Sequence, residues 1–277
     1  MGKVWFITGT SKGFGRDWAI AALERGDQVV ATARAVATLD DLKERYGDLV
    51  LPLALDVNSR ENAFDAVSVA AEHFGGLDIV VNNAGYGQFG FAEELSEADW
   101  RNQIETNLFG AVWVTQAALP VLRRRGGGRI LQVSSIGGIS AFAGLSAYHA
   151  SKWALEGFSQ ALAQEVKDFN IKVTLIEPGG FSTDWGGASA KWADPLPEYD
   201  DLRTRMIEWR ARRTQTPGDP SATGAVVLKL VDAEDPPPRI FFGDGPLALA
   251  TADYESRLAT WREWEALSRE AQGSTPH

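Results

Sequence analysis

The chain has 277 residues, 44% hydrophobic and 23% charged, the make-up of a soluble globule that forms one large domain or two small ones. Its net charge of −10 argues against nucleic acid as a partner, because that binding rests on cationic contacts to phosphate. With no cysteine and three histidines, disulfides, thiol nucleophiles, zinc–thiolate sites and a His-rich metal centre are set aside.

Reading forward, a strand is expected at Val4–Thr8, an apolar run too short for a signal-peptide core. It leads straight into Thr8-Gly9-Thr10-Ser11-Lys12-Gly13-Phe14-Gly15 and then a helix over 14–25. Glycines there permit a tight turn and close backbone approach, and a helix N-terminus offers unpaired N–H groups and a positive dipole end to a pyrophosphate. The spacing is Gly-x-x-x-Gly-x-Gly, not the commoner dinucleotide fingerprint. The second strand, Gln28–Ala33, is followed by Arg34, with no acid from Gln28 through Leu39. An acid near that point would grip the ribose hydroxyls of NAD; Arg34 and Lys12 instead suit a 2′-phosphate, hence NADP(H) in preference to NAD(H).

Further strands are expected at 50–56, 77–82, 129–134, 172–177 and Arg239–Phe242, most of them continuous apolar runs suited to parallel strands covered on both faces. Helical patterns fill Arg60–Phe74, 97–124 and 147–169. Alternation of this kind predicts an α/β fold: one doubly wound Rossmann-type domain over 1–246 with a seven-stranded parallel sheet flanked by helices. Arg123–Arg125 before Gly126–Gly128 reads as cations in a last helical turn followed by a glycine stop, in preference to a phosphate site. Segment 181–220 breaks the pattern with scattered Gly and Pro, Trp185, Trp192 and Trp209, and a basic stretch near Arg203 to Arg213; it reads as a substrate lid. In the tail 247–277, Tyr254, Leu258, Trp261 and Trp264 are spaced as an amphipathic helix that packs on the body or a partner subunit. No apolar run approaches the roughly 18 residues of a membrane span, so no membrane partner is expected and the cytoplasm is the expected compartment.

The chemistry is concentrated in the helix at 147–169. Tyr148 and Lys152 stand four residues apart and share one helical face, and Ser135 lies thirteen residues before the tyrosine. A nearby ammonium favours the phenolate and is expected to lower the tyrosine's pKa from about 10. Ser135 could hold a substrate oxygen while Tyr148 gives or takes a proton. Ser134 is its rival, but strand alternation sends adjacent side chains to opposite faces, and the spacing selects Ser135. His149 is about 100° around the helix and reads as structural. Glu177 and Asp184 bracket Pro178-Gly179 and read as local hydrogen-bonding residues.

From Thr8 to Gly179 the motifs resemble those of the short-chain dehydrogenase/reductase family in its compact form. The loop with Gly9, Ser11, Lys12, Gly13, Phe14 and Gly15 looks like the family's cofactor motif, Asp56-Val57 like the pair that meets the adenine, and Asn83-Ala84-Gly85 like the stretch after the fourth strand. Pro178-Gly179 with Thr183 resembles the loop that meets the nicotinamide carboxamide. Asn107, Ser135, Tyr148 and Lys152 match the family's catalytic four. The resemblance implies that Tyr148 is general acid and base, and that Lys152 lowers its pKa and binds the nicotinamide ribose. It also implies that Ser135 holds the substrate oxygen and that Asn107 supports a proton-relay water. Val133 to Gly138 and Tyr148 to Trp153 are similar to phrases of the 17β-hydroxysteroid and retinol dehydrogenase-like branch.

Gln88, Phe89, Phe91, Phe142, Leu145, Trp185 and Trp192 suggest an apolar pocket, and so a hydrophobic ketone, aldehyde or alcohol. The resemblance also implies a homodimer or homotetramer with the helices at 97–124 and 147–169 in the interface. Two other readings keep the fold: an epimerisation or dehydration without net redox change, and a cofactor sensor without turnover.

Overall fold

The computed structural model of the chain describes residues 2–187, 189–211 and 216–273; Arg212, Arg213 and the side chains of Asp184 and Trp209 lie outside the described residues. The strands are β1 (Val4–Thr8), β2 (Gln28–Ala33), β3 (Val50–Ala54), β4 (Ile79–Asn82), β5 (Gln88–Phe89), β6 (Gly128–Val133), β7 (Ile171–Pro178), β8 (Lys191–Trp192) and β9 (Arg239–Phe242). The helices are α1 (Gly13–Glu24), α2 (Asp40–Tyr46), α3 (Arg60–Phe74), α4 (Glu97–Ile104), α5 (Gly110–Arg125), α6 (Ser146–Val166), α7 (Asp200–Ala211), α8 (Thr223–Asp232), α9 (Pro246–Glu263) and α10 (Glu265–Glu270).

The predicted seven-stranded parallel sheet is present, in the order β3-β2-β1-β4-β6-β7-β9. Its strands are apolar without a break because both faces are covered. Alternation sends Val4 and Phe6 into one core with residues of α3, α5 and α6, and Trp5 and Ile7 into the other with residues of α1 and α8. The chain steps from β1 to β2 and β3, then returns to the other side of β1 with β4. That reversal opens a crevice at the carboxyl ends of β1 and β4, the usual binding place in such sheets.

Three features of the elements lie beyond the sequence reading. The single helix over 97–124 is interrupted: α4 and α5 are separated by a π-helical turn, Glu105–Phe109, whose wider winding has no sequence period of its own. A two-stranded parallel sheet, β5 with β8, is present that two-residue strands could not announce. Of the two places expected for the apolar stripe of the tail, the chain's own body is not the one it occupies: Tyr254, Leu258, Trp261 and Trp264 are all exposed on this chain, and the partner-subunit alternative stands as it was. The stripe of α9 that does face the body is Pro246, Ala250, Asp253 and Arg257, one residue out of phase; Asp253 accepts from Ser140 Oγ at 3.1 Å and Arg257 donates to the Ile139 carbonyl at 3.1 Å. By contrast α5 ends as expected, with Gly126 at φ +90° after three arginines, and Arg125 pairs with Asp78 at 2.9 Å.

Candidate active site

The glycine loop sits at the crevice. Gly9 and Gly13 have φ of +70° and +60°, where side-chain-bearing residues are strained. A Cβ on Gly15 would press on Asn83 Nδ2 and come 2.5 Å from the Gly9 carbonyl oxygen. No side chain caps α1 at Lys12, and the space beside Gly13 is open. An uncapped helix start behind a loop with no room for a Cβ at Gly15 fits a dinucleotide pyrophosphate. Ser11, Lys12 and Arg34 are exposed at the rim, Phe14 is half-buried, and Asp56 and buried Val57 follow β3. The Asn83 side chain is spent on the loop itself, donating to the carbonyls of Thr8 at 2.9 Å and Gly9 at 3.0 Å, while Thr8 Oγ1 accepts from the N–H groups of Asn83 and Ala84. Asn83 therefore shapes the cradle from behind.

The four expected catalytic side chains are brought to the same side. The π-helical turn swings Asn107 inward to 1% exposure. Its amide accepts from Tyr86 N–H at 3.1 Å and donates to the Tyr86 carbonyl at 3.0 Å and to Ser151 Oγ at 3.2 Å. A Cβ on Gly85 would stand 3.0 Å from Asn107 Oδ1 and 3.8 Å from Lys152 Nζ, so the three meet around one point. Ser135 follows β6 and accepts from Gly137 N–H at 3.0 Å. Tyr148 and Lys152 project from the first turns of α6, both buried. Pro178 ends β7, Gly179 N–H donates to the Phe242 carbonyl at 2.9 Å, and Thr183 Oγ1 accepts from Trp185 N–H.

The electrostatics differ from the sequence expectation. Burial pushes the Tyr148 phenol up to about 12, only partly opposed by a hydrogen bond with Ser135. Phe89 and Leu145 pack with Tyr148, and the ring of Trp185 lies 4.9 Å from the phenol ring. Burial pulls Lys152 down to about 8, opposed by Glu156, and Lys152 Nζ donates to the Val133 carbonyl at 2.7 Å. The ammonium stands 5.8 Å from the tyrosine ring centroid, and desolvation outweighs any lowering it brings.

His149 holds loop structure, as expected: Nδ1 meets the Gly137 carbonyl at 2.7 Å and Nε2 accepts from Phe142 N–H at 2.9 Å. Burial lowers its pKa. The neutral ring, donating from Nδ1 and accepting at Nε2, satisfies both contacts.

Beside this cluster is a cavity of about 440 Å³ lined by Phe89, Phe91, Trp192, Met206, Ile207 and Arg203, among others. Phe89 is its shared wall with Tyr148 and Leu145. Gln88 is buried elsewhere, its N–H donating to Gln103 Oε1 at 2.7 Å. Sequence reasoning missed Glu94, which ties the later segment to the Phe91 loop: it accepts from Phe91 N–H at 2.7 Å and Leu196 N–H at 2.9 Å and pairs with Arg203. Burial opposes its charge, but these contacts hold its carboxyl below the usual range. Only Glu94's place three residues after Phe91 hinted at a local turn.

Residues 3–194 match the family model described as short chain dehydrogenase. The chain is 41% identical to oxidoreductase BOA17 of Botryotinia fuckeliana over 270 residues, covering 97% of this chain and 98% of that one. It superposes with a TM-score of 0.89 on the crystal structure of a short-chain dehydrogenase from Streptomyces avermitilis, at 39% identity over 97% of this chain and 99% of that one. An alcohol dehydrogenase from Thermococcus sibiricus, solved with 5-hydroxy-NADP, gives a TM-score of 0.72 at 27% identity, covering 87% and 95% of the two chains.

Proposed function

The chain belongs to the short-chain dehydrogenase/reductase family of oxidoreductases, and on that premise we propose that it interconverts a carbonyl and an alcohol on a hydrophobic small molecule with NADP(H) as cofactor. The observation that carries this reading is the convergence of Ser135, Tyr148, Lys152 and Asn107 beside the glycine cradle. Gly9, Gly13 and Gly15 would admit the pyrophosphate, Lys12 and Arg34 the 2′-phosphate, and Lys152 the nicotinamide ribose. The cofactor supplies or accepts the hydride. Tyr148 Oη holds the proton that a nascent alkoxide takes up, or receives the one an alcohol gives, and Ser135 Oγ fixes the substrate oxygen. Trp185 excludes water from the phenol.

An apolar cavity one aromatic ring from Tyr148 supports a substrate with a hydrophobic arm, Phe89 and Phe91 forming its walls. The preference for NADP(H) is supported by the exposed cations Lys12 and Arg34 and by the NADP-type ligand of the Thermococcus sibiricus relative. A homodimer or homotetramer is part of the proposal, checked by sedimentation equilibrium.

The test follows loss of reduced-cofactor absorbance with NADPH and NADH in parallel across graded apolar and polar ketones and aldehydes. Turnover should favour NADPH and apolar carbonyls and fall by about 10²–10⁴ in Tyr148→Phe, with NADPH binding retained. Retained activity in that variant removes the tyrosine from its role. Arg34→Asp should shift preference toward NADH; unchanged discrimination discards the phosphate reading.

A further inference from the structure

One helical turn beyond Lys152, on the same face of α6, stands Glu156, 4% exposed. Against it, at the end of β7 and just before Pro178, stands Glu177, 0% exposed. Neither carboxyl has a hydrogen bond of ordinary geometry among the described residues, and Ser134 Oγ beside them has none either. The nearest cation is Arg239 of β9, with Nη2 3.4 Å from Glu156 Oε2 and Nη1 3.6 Å from Glu177 Oε1, both longer than a good hydrogen bond. Two buried carboxylates in contact cannot both stay ionised on one loosely held guanidinium.

We propose that Glu156 and Glu177 share one proton, held on Glu177 and donated to Glu156, and that the remaining charge on Glu156 is the positioning counter-ion that keeps Lys152 an ammonium. A protonated Glu177 supplies the donor that Glu156 lacks, and Glu156 then carries one charge between Arg239 and Lys152. Ser134 explains the division of labour at the end of β6. A Cβ on Gly138 would stand 2.6 Å from Ser134 Oγ and 3.0 Å from Glu156 Oε1, so the hydroxyl of Ser134 turns to the carboxyl pair while that of Ser135 turns to Tyr148. The groups facing the pair are Lys152 from α6, Arg239 from β9 and the neutral Ser134 from β6. On α9, Asp253 and Arg257 pair with each other at 2.7 Å and close the outer side near Ser140. The titration directions agree: burial first, then Glu156, pushes Glu177 up to about 8. Burial also raises Glu156, against the pull of Ser134, Arg239 and Lys152. Lys152, brought to about 8 by burial with Glu156 opposing, would lose its proton at a lower pH without that charge.

The catalytic consequence rests on the reading of Lys152 given above; the titration does not. The full-length chain is labelled with ¹³C at glutamate Cδ and lysine Cε and titrated by NMR, resonances being identified by their loss in Glu156→Gln, Glu177→Gln and Lys152→Met. One carboxyl of the pair should keep its proton far above the ordinary glutamate range. Glu156→Gln should lower the Lys152 midpoint by about one pH unit, a tenfold loss of proton affinity. Glu177→Gln, whose amide replaces the protonated carboxyl as donor, should leave Lys152 near its wild-type midpoint. The alkaline limb of turnover should move to lower pH in Glu156→Gln and stay in Glu177→Gln. Both carboxyls titrating together in the ordinary range, or a Lys152 midpoint unmoved in Glu156→Gln, overturns the proposal. If Glu156→Gln does not fold, the wild-type carboxyl titration decides alone. Expected titrations together with no cofactor turnover by the parent chain on any carbonyl or alcohol would reject the reductase reading and leave the carboxyl pair standing.

Discussion

Single atoms decide whether the cradle works. Gly15 has no room for a methyl group between Asn83 and the Gly9 carbonyl, and the neighbours that would have to yield are the ones that hold the loop. Gly15→Ala should therefore weaken NADPH binding by at least about tenfold, read by fluorescence titration, while the far-ultraviolet dichroism stays that of the parent. Undiminished binding would place the cofactor elsewhere. At the end of β6 the adjacent serines should separate cleanly. Ser135→Ala should lower kcat by about 10²-fold, because the substrate oxygen loses its partner, and Ser134→Ala should retain most turnover. Equal losses in the two variants would contradict the opposite orientations of their hydroxyls.

At the scale of elements, one carboxylate ties α7 and the stretch before it to the Phe91 loop. Glu94 gathers Phe91, Leu196 and Arg203, so Glu94→Gln should loosen the segment at 189–211. Limited trypsin digestion at neutral pH should cut there faster than in the parent, and KM for an apolar carbonyl should rise more than kcat falls; unchanged digestion would remove Glu94 from that role. What the sequence made legible was local. The strands, the glycine loop and the 148–152 spacing are short-range patterns, and the sheet has the expected form. The π-helical turn at Asn107 has no period to detect, and β5 with β8 is too short to show alternation. Glu177 could be read only as a local residue because its partner Glu156 comes from another element. In α9 the aromatic spacing was real, but which stripe faces the body was set by the polar contacts of Asp253 and Arg257.

For the whole molecule, the buried acid imposes a pH dependence. Glu177 titrates at about 8 in the fold against 4.5 unperturbed, so between those values the folded chain binds more protons than the unfolded one. Its contribution to stability is then fully present below 4.5 and is lost as pH rises through about 8. The urea midpoint should decline over that window, and Glu177→Gln should flatten the decline; parallel curves for the two chains would show that other groups govern it. The β8 region is sewn to the body by its main chain. Lys191 N–H donates to the Gly87 carbonyl at 3.0 Å and Ala193 N–H to the Phe89 carbonyl at 2.9 Å, two main-chain stitches beside the Phe89 wall. Two such stitches would have to break together, so were product to leave past them its escape would limit turnover. Thickening the solvent with glycerol or sucrose should then slow kcat for a good substrate while sparing a sluggish one, whose chemistry is already slower than the door.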